Sequence, residues 1–391
     1  MFLIWVASGY WTVAPMSIAV GVLAAITLAR WTIRPGPRWS RSPMDLAGAG
    51  WAVALALSAL FAVDRSASLP RLTKALFPFL VGLTAWQARD SRVGRPAVYA
   101  LLISATLSAA TGLAIYFAKG AAYPARARGP VGHYITFGGQ LMIACCVALA
   151  LLLRARGGRA RALAAVALAV CGAALAFTYT RSSWLGLIAG AAVMLAVRRP
   201  WALAALAALV ALAARFGPAG FRARFLSAFD PANANNQQRE LMWQAGARMF
   251  RDHPLTGVGL QDLHALYQRY KSPGAWEPAG HLHSVPVQVA ATMGTVGLLA
   301  LLGLWIGLAR TTGWRLVARA RQRGLGGALA LAAAAAALGF FVAGLFEWNL
   351  GDEEVLHPLY ALIGLAWAAR SWEAEPPAAS GDSRASGAVS H

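Results

Sequence analysis

Residues 162–199 read ALAAVALAVCGAALAFTYTRSSWLGLIAGAAVMLAVRR: two apolar runs divided at Thr178-Tyr179-Thr180-Arg181-Ser182-Ser183 and closed by Arg198 and Arg199. Each run approaches the length of about 20 residues that a helix needs to cross hydrocarbon, and neither shows the two-residue alternation of a half-buried strand. The stretch predicts two membrane helices joined by a junction with almost no loop. The same texture recurs outward in both directions. Spans are expected at about 3–29, 44–63, 70–88, 96–117, 135–153, 162–179, 182–197, 200–215, 284–309, 326–347 and 355–370. Pro15 leaves open whether the first of these is one span or two. The composition of the whole chain agrees: of 391 residues, 58% are hydrophobic and 13% charged, where a soluble domain carries about 25% charged residues. The predicted fold class is all-α, a polytopic transmembrane helical bundle of about 11–12 spans with one large extracytoplasmic loop.

The formal charge of +20, from 35 Lys and Arg against 15 Asp and Glu, would suggest a nucleic-acid partner in a soluble chain. Its distribution argues for membrane lipids instead. The basic residues crowd into short gaps between apolar runs: Arg30, Arg34, Arg38 and Arg41; Arg89, Arg92 and Arg95; Arg154, Arg156, Arg159 and Arg161; Arg198 and Arg199; Arg310, Arg315, Arg319, Arg321 and Arg323. Such gaps belong on the cytoplasmic side, and strict alternation from there leaves residues 216–283 outside. Four segments follow: N-terminal transmembrane helices over 1–215, the outer loop over 216–283, C-terminal transmembrane helices over 284–372, and a disordered tail over 373–391, rich in Ala, Ser, Pro and Gly. The N-terminus shows no basic region or cleavage site of a removable signal peptide, so the first span is expected to direct insertion. Cys145, Cys146 and Cys171 all lie inside apolar runs and read as packing residues.

Several residues break the apolar texture where chemistry is affordable. Arg181 sits at a span junction with no loop to lift it into water, where a charge is costly unless it snorkels or lines a cavity. A guanidinium there suits an anion, since it binds phosphate oxygens bidentately and keeps its charge; Ser182 and Ser183 can add hydrogen bonds. Arg126, Arg128, Arg239, Arg248 and Arg251 lie on the same outer side, against the inside bias, and a shared anionic ligand accounts for them together. Gln237 to Phe250 places Leu241, Ala245 and Met249 on one helical face, an amphipathic helix with a start signalled by Asn233, Asn235 and Asn236. His281 and His283 stand where the outer loop re-enters the membrane. Imidazole titrates near neutral pH, which favours proton transfer over a metal site lacking a third ligand at recognisable spacing. Gln288, one turn further on, is placed to orient a sugar. Glu347, Asp352, Glu353 and Glu354 gather at the outer end of the tenth span, either as counter-charge to the arginines or as orienters of the histidine. Gly257-Val258-Gly259 after His253-Pro254 lacks the surroundings of a dinucleotide fingerprint and reads as a turn.

With these elements in order, the chain resembles the O-antigen ligase family and its related membrane glycan polymerases and O-oligosaccharyltransferases, over roughly residues 40–370. The resemblance is carried by Thr180-Arg181-Ser182 after a span, by Arg239-x-x-x-Trp243 with Met249-Phe250-x-x-His253-Pro254-Leu255-x-Gly257-Val258-Gly259, and by His281-Leu282-His283-Ser284 leading to Gln288 and Gly294. The family usually has Asn where this chain has Ser284. The resemblance implies an inverting, metal-independent glycosyltransferase of GT-C type in the bacterial inner membrane, with its active site facing the periplasm and no cofactor. Its donor would be an undecaprenyl-diphosphate-linked glycan and its acceptor lipid A-core, as in lipopolysaccharide assembly, or another glycan or a protein. Carried over by residue, His283 corresponds to the catalytic residue, Arg181 and Arg239 to diphosphate-binding arginines, and Arg126 or Arg128 to a further phosphate contact, with His281, Gln288 and Glu347 in support. A repeat-unit polymerase, a protein O-oligosaccharyltransferase and a transporter of the lipid-linked glycan are the alternatives.

Overall fold

The computed structural model describes every residue except 34–38, 40, 122, 314–317, 319–321, 323 and 373–391. The expected tail and Arg34, Arg38, Arg315, Arg319, Arg321 and Arg323 therefore lie outside the described residues. All regular structure among the described residues is helical. In chain order the helices are α1 (Phe2–Ser8), α2 (Val13–Ile33), α3 (Pro43–Leu60), α4 (Arg65–Ser68), α5 (Leu80–Gln87), α6 (Ser91–Ala118), α7 (Tyr134–Arg154), α8 (Gly158–Phe177), α9 (Arg181–Arg198), α10 (Ala202–Phe216), α11 (Ala219–Leu226), α12 (Ala234–Asp252), α13 (His264–Tyr270), α14 (Val285–Thr312), α15 (Leu325–Gly344) and α16 (Glu353–Trp372), with a 3₁₀ segment at Leu69–Phe79.

Seven of these are long and apolar enough to cross a membrane: α2, α3, α6, α7, α8, α14 and α15. An eighth is added if α10 and α11, bent by 113°, count as one broken span. Four expected spans fall short of that description, each for a physical reason. Residues 70–88 carry Pro70 and Pro78, which remove backbone donors, and the chain forms the 3₁₀ segment and then the short α5. The run at 182–197 is a shorter apolar helix. The run at 200–215 ends at Gly217-Pro218, where the chain turns sharply into α11. The run at 355–370 belongs to α16, whose first turn holds Glu353 and Glu354. Toward the N-terminus the expected span over 3–29 is interrupted after Ser8, giving α1 and α2.

The centre of the bundle is α7, buried almost without interruption from Thr136 to Leu151. A helix apolar all round has no solvent face to present, and α8, α9, α15 and α16 surround it. The Ala-rich run 328–337 of α15 allows the closest approach. A Cβ on Gly339 would lie 2.7 Å from the Gly186 carbonyl oxygen, and one on Gly190 would lie 2.8 Å from that of Ala335. Packing of small residues is how helices associate where no water remains to drive them together.

Helix α14 is broken at Gly294 (φ 61°, ψ −154°), and the His253–Gly259 turn plugs the break. The amides of Val258 and Gly259 donate to the carbonyls of Ala291 and Thr292 at 2.9 and 3.0 Å, and those of Thr295 and Val296 donate to Pro254 and Leu255 at 2.8 and 3.1 Å. The Ser58 hydroxyl adds a bond to the Thr292 carbonyl at 2.7 Å. The groups freed by the break are thus satisfied by protein, the condition for irregular backbone at membrane depth. A Cβ on Gly294 would meet the Leu255 carbonyl at 2.5 Å in a backbone conformation that side chains resist. We expect Gly294→Ala to cost about 1–3 kcal/mol from the backbone alone, plus the clash. It should lower the melting temperature of the detergent-purified protein, and an unchanged melting curve would refute the tight plug.

Candidate active site

Three helix N-termini converge on one cleft of about 530 Å³. Tyr134 and Ile135 open α7, Arg181 and Ser182 open α9, and Asn235 lies in the first turn of α12; all line the cleft. The positive ends of helix dipoles favour an anion at such a place. Arg126, Arg181, Arg224 and Arg239 also line it, against the carboxylates of Glu277 and Glu347 alone. Among the described residues these four arginines make one ion pair, Arg239 to Glu347 at 3.2 Å.

The guanidinium groups are held in two ways. Arg181 donates to the Ser227 carbonyl at 2.7 Å and to Asn236 Oδ1 at 2.7 Å, and Arg239 donates to the Phe346 carbonyl at 2.6 Å. Both are fixed by backbone from elsewhere in the chain. Arg126 instead stacks on the Tyr134 ring at 4.1 Å, and Arg224 donates only through Nε, to the Tyr179 carbonyl at 3.2 Å. The terminal nitrogens of Arg126 and Arg224 are left for a ligand.

Glu347 and His283 close one side of the cleft. Glu347 is 3% exposed, and its Oε1 lies 2.7 Å from His283 Nδ1 and accepts from the Trp348 amide at 3.1 Å. Burial alone would push this carboxyl up. The hydrogen bond from His283, with the charges of His283, Arg239 and His281, outweighs that and holds it at about 2. An ionised carboxylate only accepts, so Nδ1 of His283 is the donor of this bond. No hydrogen bond engages Nε2 among the described residues. The backbone of His283 lies in the left-handed region at φ 47°, a conformation costing on the order of 1–2 kcal/mol for a residue with a Cβ. Strain of this kind persists where the surroundings over-determine it.

His281 stands beside this pair, its ring 4.3 Å from that of His283 and its Nε2 3.6 Å from Glu347. Burial, then the neighbouring His283, lowers it to about 4, so it is neutral at pH 7. His281, His283 and Glu347 each offer a ligand atom, all within 4.8 Å of one another. Glu347 therefore supplies the third ligand type that the sequence spacing could not show. A cation there would have to share Glu347 with the Arg239 guanidinium already on it.

Of the residues expected from sequence, Arg126, Arg181, Arg239, His283 and Glu347 meet in this cleft. Arg128 is exposed and does not line it, because the chain between Arg126 and the start of α7 turns only the former toward Tyr134. Arg248 is spent on the Tyr270 carbonyl and Ser272, and Arg251 is exposed. Gln288 faces away, with Oε1 accepting from the Leu282 amide at 2.8 Å. Arg224 and Asn235 were not singled out in sequence as cleft residues; nothing local distinguishes Arg224 from Arg222 two positions earlier. Helix α12 buries Met242, Ala245 and Met249, with Leu241 at the edge of that face, and packs on α13 and α14.

Residues 166–302 match the O-Antigen ligase family. The match spans about a third of the chain and marks a similarity of that stretch to the family. The matched stretch runs from within α8 through the α14 break and contains Arg181, Arg224, Arg239 and His283, whereas Arg126 and Glu347 come from outside it. No curated protein matches the chain. The match, together with seven helices long and apolar enough to cross a membrane among the described residues, points to a multi-pass membrane protein similar to O-antigen ligases.

Asp352 extends the site's charge network. Its carboxylate accepts from Thr136 Oγ1 at 3.1 Å. Burial, reinforced by the charges of Glu347 and Glu354, raises the carboxyl from 3.8 to about 7, against the Thr136 hydrogen bond. A folded-state pKa above the unfolded one gives stability that is full below the unfolded value and is lost as pH rises through the folded value. Asp352→Asn should therefore melt close to wild type near pH 4 and above it near pH 8. A melting difference that does not grow over that interval would contradict the assignment.

Proposed function

We propose that the protein transfers a glycan from an undecaprenyl-diphosphate carrier to an acceptor hydroxyl on the periplasmic face of the bacterial inner membrane, most specifically O-antigen to lipid A-core in lipopolysaccharide assembly. The observation that carries this reading is the juxtaposition of four arginines and three helix N-termini with a histidine whose free Nε2 opens on the same cleft. In the arginine cleft the carrier diphosphate binds through Arg126, Arg181, Arg224 and Arg239. His283 Nε2 accepts the proton of the acceptor hydroxyl as its oxygen bonds to the anomeric carbon. The bond from that carbon to the diphosphate oxygen breaks with inversion, and the electron pair leaves on the diphosphate. Glu347 stabilises the imidazolium that forms, as a buried carboxylate does for a histidine base.

The reaction as drawn is metal-independent, of the kind assigned to GT-C enzymes. Fixed guanidinium charge aimed at the departing diphosphate lowers the barrier without reorganising at the moment of bond cleavage. Polymerisation of repeat units and transfer to protein would use the same donor cleft. Transport of the intact lipid-linked glycan is disfavoured by a histidine–carboxylate pair built into the wall of the anion site, which carriage alone does not need.

Transfer by the purified protein from an undecaprenyl-diphosphate glycan to lipid A-core tests the reading. His283→Ala should lower the rate by about 10²–10⁴-fold, the range of general-base catalysis, with expression and membrane insertion retained. Full activity in that variant would remove the base. Arg181→Ala and Arg224→Ala should weaken donor binding about tenfold or more, with Arg→Lys a poor rescue because an ammonium cannot make the bidentate contact. Rates should also survive a chelator; loss on chelation, restored by a divalent metal, would instead place a cation on His281, His283 and Glu347.

A further inference from the structure

An apolar groove of about 1200 Å³ runs along one flank of the bundle, between α2 on one side and the 3₁₀ segment with α5 on the other. The α2 residues that line it extend from Ser17 through Gly21 and Ala24 to Trp31, roughly 21 Å of helix. One leaflet contributes about 15 Å to the hydrocarbon core, so an entire acyl chain fits between these residues. The groove is open at Gly21, where a Cβ would meet no atom within 4 Å.

The two ends of the groove carry different charges. Glu353 and His357 line one end, on the first turns of α16. Asp352 just before them is bonded to Thr136 near the start of α7, which puts this end level with the arginine cleft. The carboxylates of Asp352, Glu353 and Glu354 act there on Lys74 beside Arg71, and Lys74 Nζ donates to the Gly351 carbonyl at 2.8 Å. Acid and base compensate one another at this end. Glu353, the charged residue on the groove wall itself, repels a phosphate.

Trp31 lines the opposite end. Helix α16 measures the separation: its 20 residues cover roughly 30 Å and finish at Trp372, whose indole donates to the Ala88 carbonyl at 2.8 Å. Trp31 meets Trp86 edge to face with ring centroids 5.8 Å apart, the Arg89 guanidinium lies 5.1 Å from the Trp86 ring, and Arg30 precedes Trp31 in the last turn of α2. Both arginines are exposed, and neither makes an ion pair among the described residues. The acids of the adjoining turns are occupied. Asp90 caps α6 by accepting from the Arg92 amide at 2.8 Å, and Asp45 accepts from the Ser42 amide at 2.6 Å and the Trp39 indole at 3.2 Å. The Trp31 indole N–H is buried with no hydrogen-bond partner among the described residues, and an ester oxygen at this end would supply the missing acceptor. Basic side chains beside tryptophans at the ends of membrane helices are what an anionic headgroup recognises.

We propose that the groove holds one acyl chain of an anionic phospholipid from the leaflet remote from the arginine cleft, with its phosphate at Arg30 and Arg89 and its chain running along α2 toward His357. The site lies outside the glycan-transfer machinery and stands without that reading. The full-length protein is reconstituted with phosphatidylglycerol carrying a diazirine either next to the glycerol or at the end of the chain, irradiated, and its labelled peptides are mapped. The glycerol-side probe should label Trp31 and its neighbours, and the chain-end probe the surroundings of Ser17 and Phe77. Arg30→Gln combined with Arg89→Gln, at two exposed positions, should reduce labelling by phosphatidylglycerol about tenfold or more and leave the weaker labelling by phosphatidylcholine of the same chains unchanged. Gly21→Trp, which fills the groove where it has room for a side chain, should abolish the chain-end label. Equal labelling by the two lipids, an inverted order of the two probes, or α2 labelling that survives both sets of substitutions would overturn the proposal. Displacement of the label by an undecaprenyl-diphosphate glycan would overturn it as well, by giving the groove to a polyprenyl tail.

Discussion

Everything about the site depends on keeping one carboxylate ionised out of water. Glu347 is buried at the turn between α15 and α16, and a carboxyl there would take up a proton were it not for His283, Arg239 and the Trp348 amide. Those partners come from the turn before α14, from α12 and from the chain next to Glu347 itself. A single charge therefore ties together three segments. Removing one partner of such a cluster leaves the others uncompensated, which is why buried charge networks hold their geometry tightly.

The arginines divide the remaining work. Arg181 and Arg239 are clamped by carbonyls from α11's end and from Phe346, so their charge is placed before any ligand arrives. Arg126 and Arg224 keep free terminal nitrogens at the same cleft. Preplaced charge lowers the cost of reorganisation, while free donors supply new bonds to an anionic ligand. Like charges this close repel one another, as Arg224, Arg239 and Arg126 each disfavour the charge on Arg181.

What the sequence disclosed and what it hid follow from distance along the chain. Arg181, His283 and Arg239 stand out because each contradicts the texture around it: a charge at a loopless junction, histidines at a membrane re-entry, a basic residue on an amphipathic helix. Glu347 could be noticed but not assigned, since its partner lies 64 residues away and no local spacing encodes that contact. Arg126 and Arg128 were indistinguishable until the Tyr134 ring separated them. The His253–Gly259 turn was legible as a turn, but its purpose was invisible because the helix it plugs is a later part of the chain. The span count suffered at prolines and at charged ends, where hydropathy stays high while the backbone stops being one continuous helix.

The plugged break in α14 also sets an order of assembly. Residues 253–259 leave the ribosome before Gly294 does, so their amides and carbonyls have no partner until α14 has entered the bilayer and bent. The turn preceding α14, with His283, cannot take its final shape before that, and Glu347 is made later still. The wall of His283 and Glu347 thus closes only after α15 has been made. A chain halted before α15 carries the arginine-lined cleft and His283 but lacks the Glu347 carboxylate that fixes the imidazole.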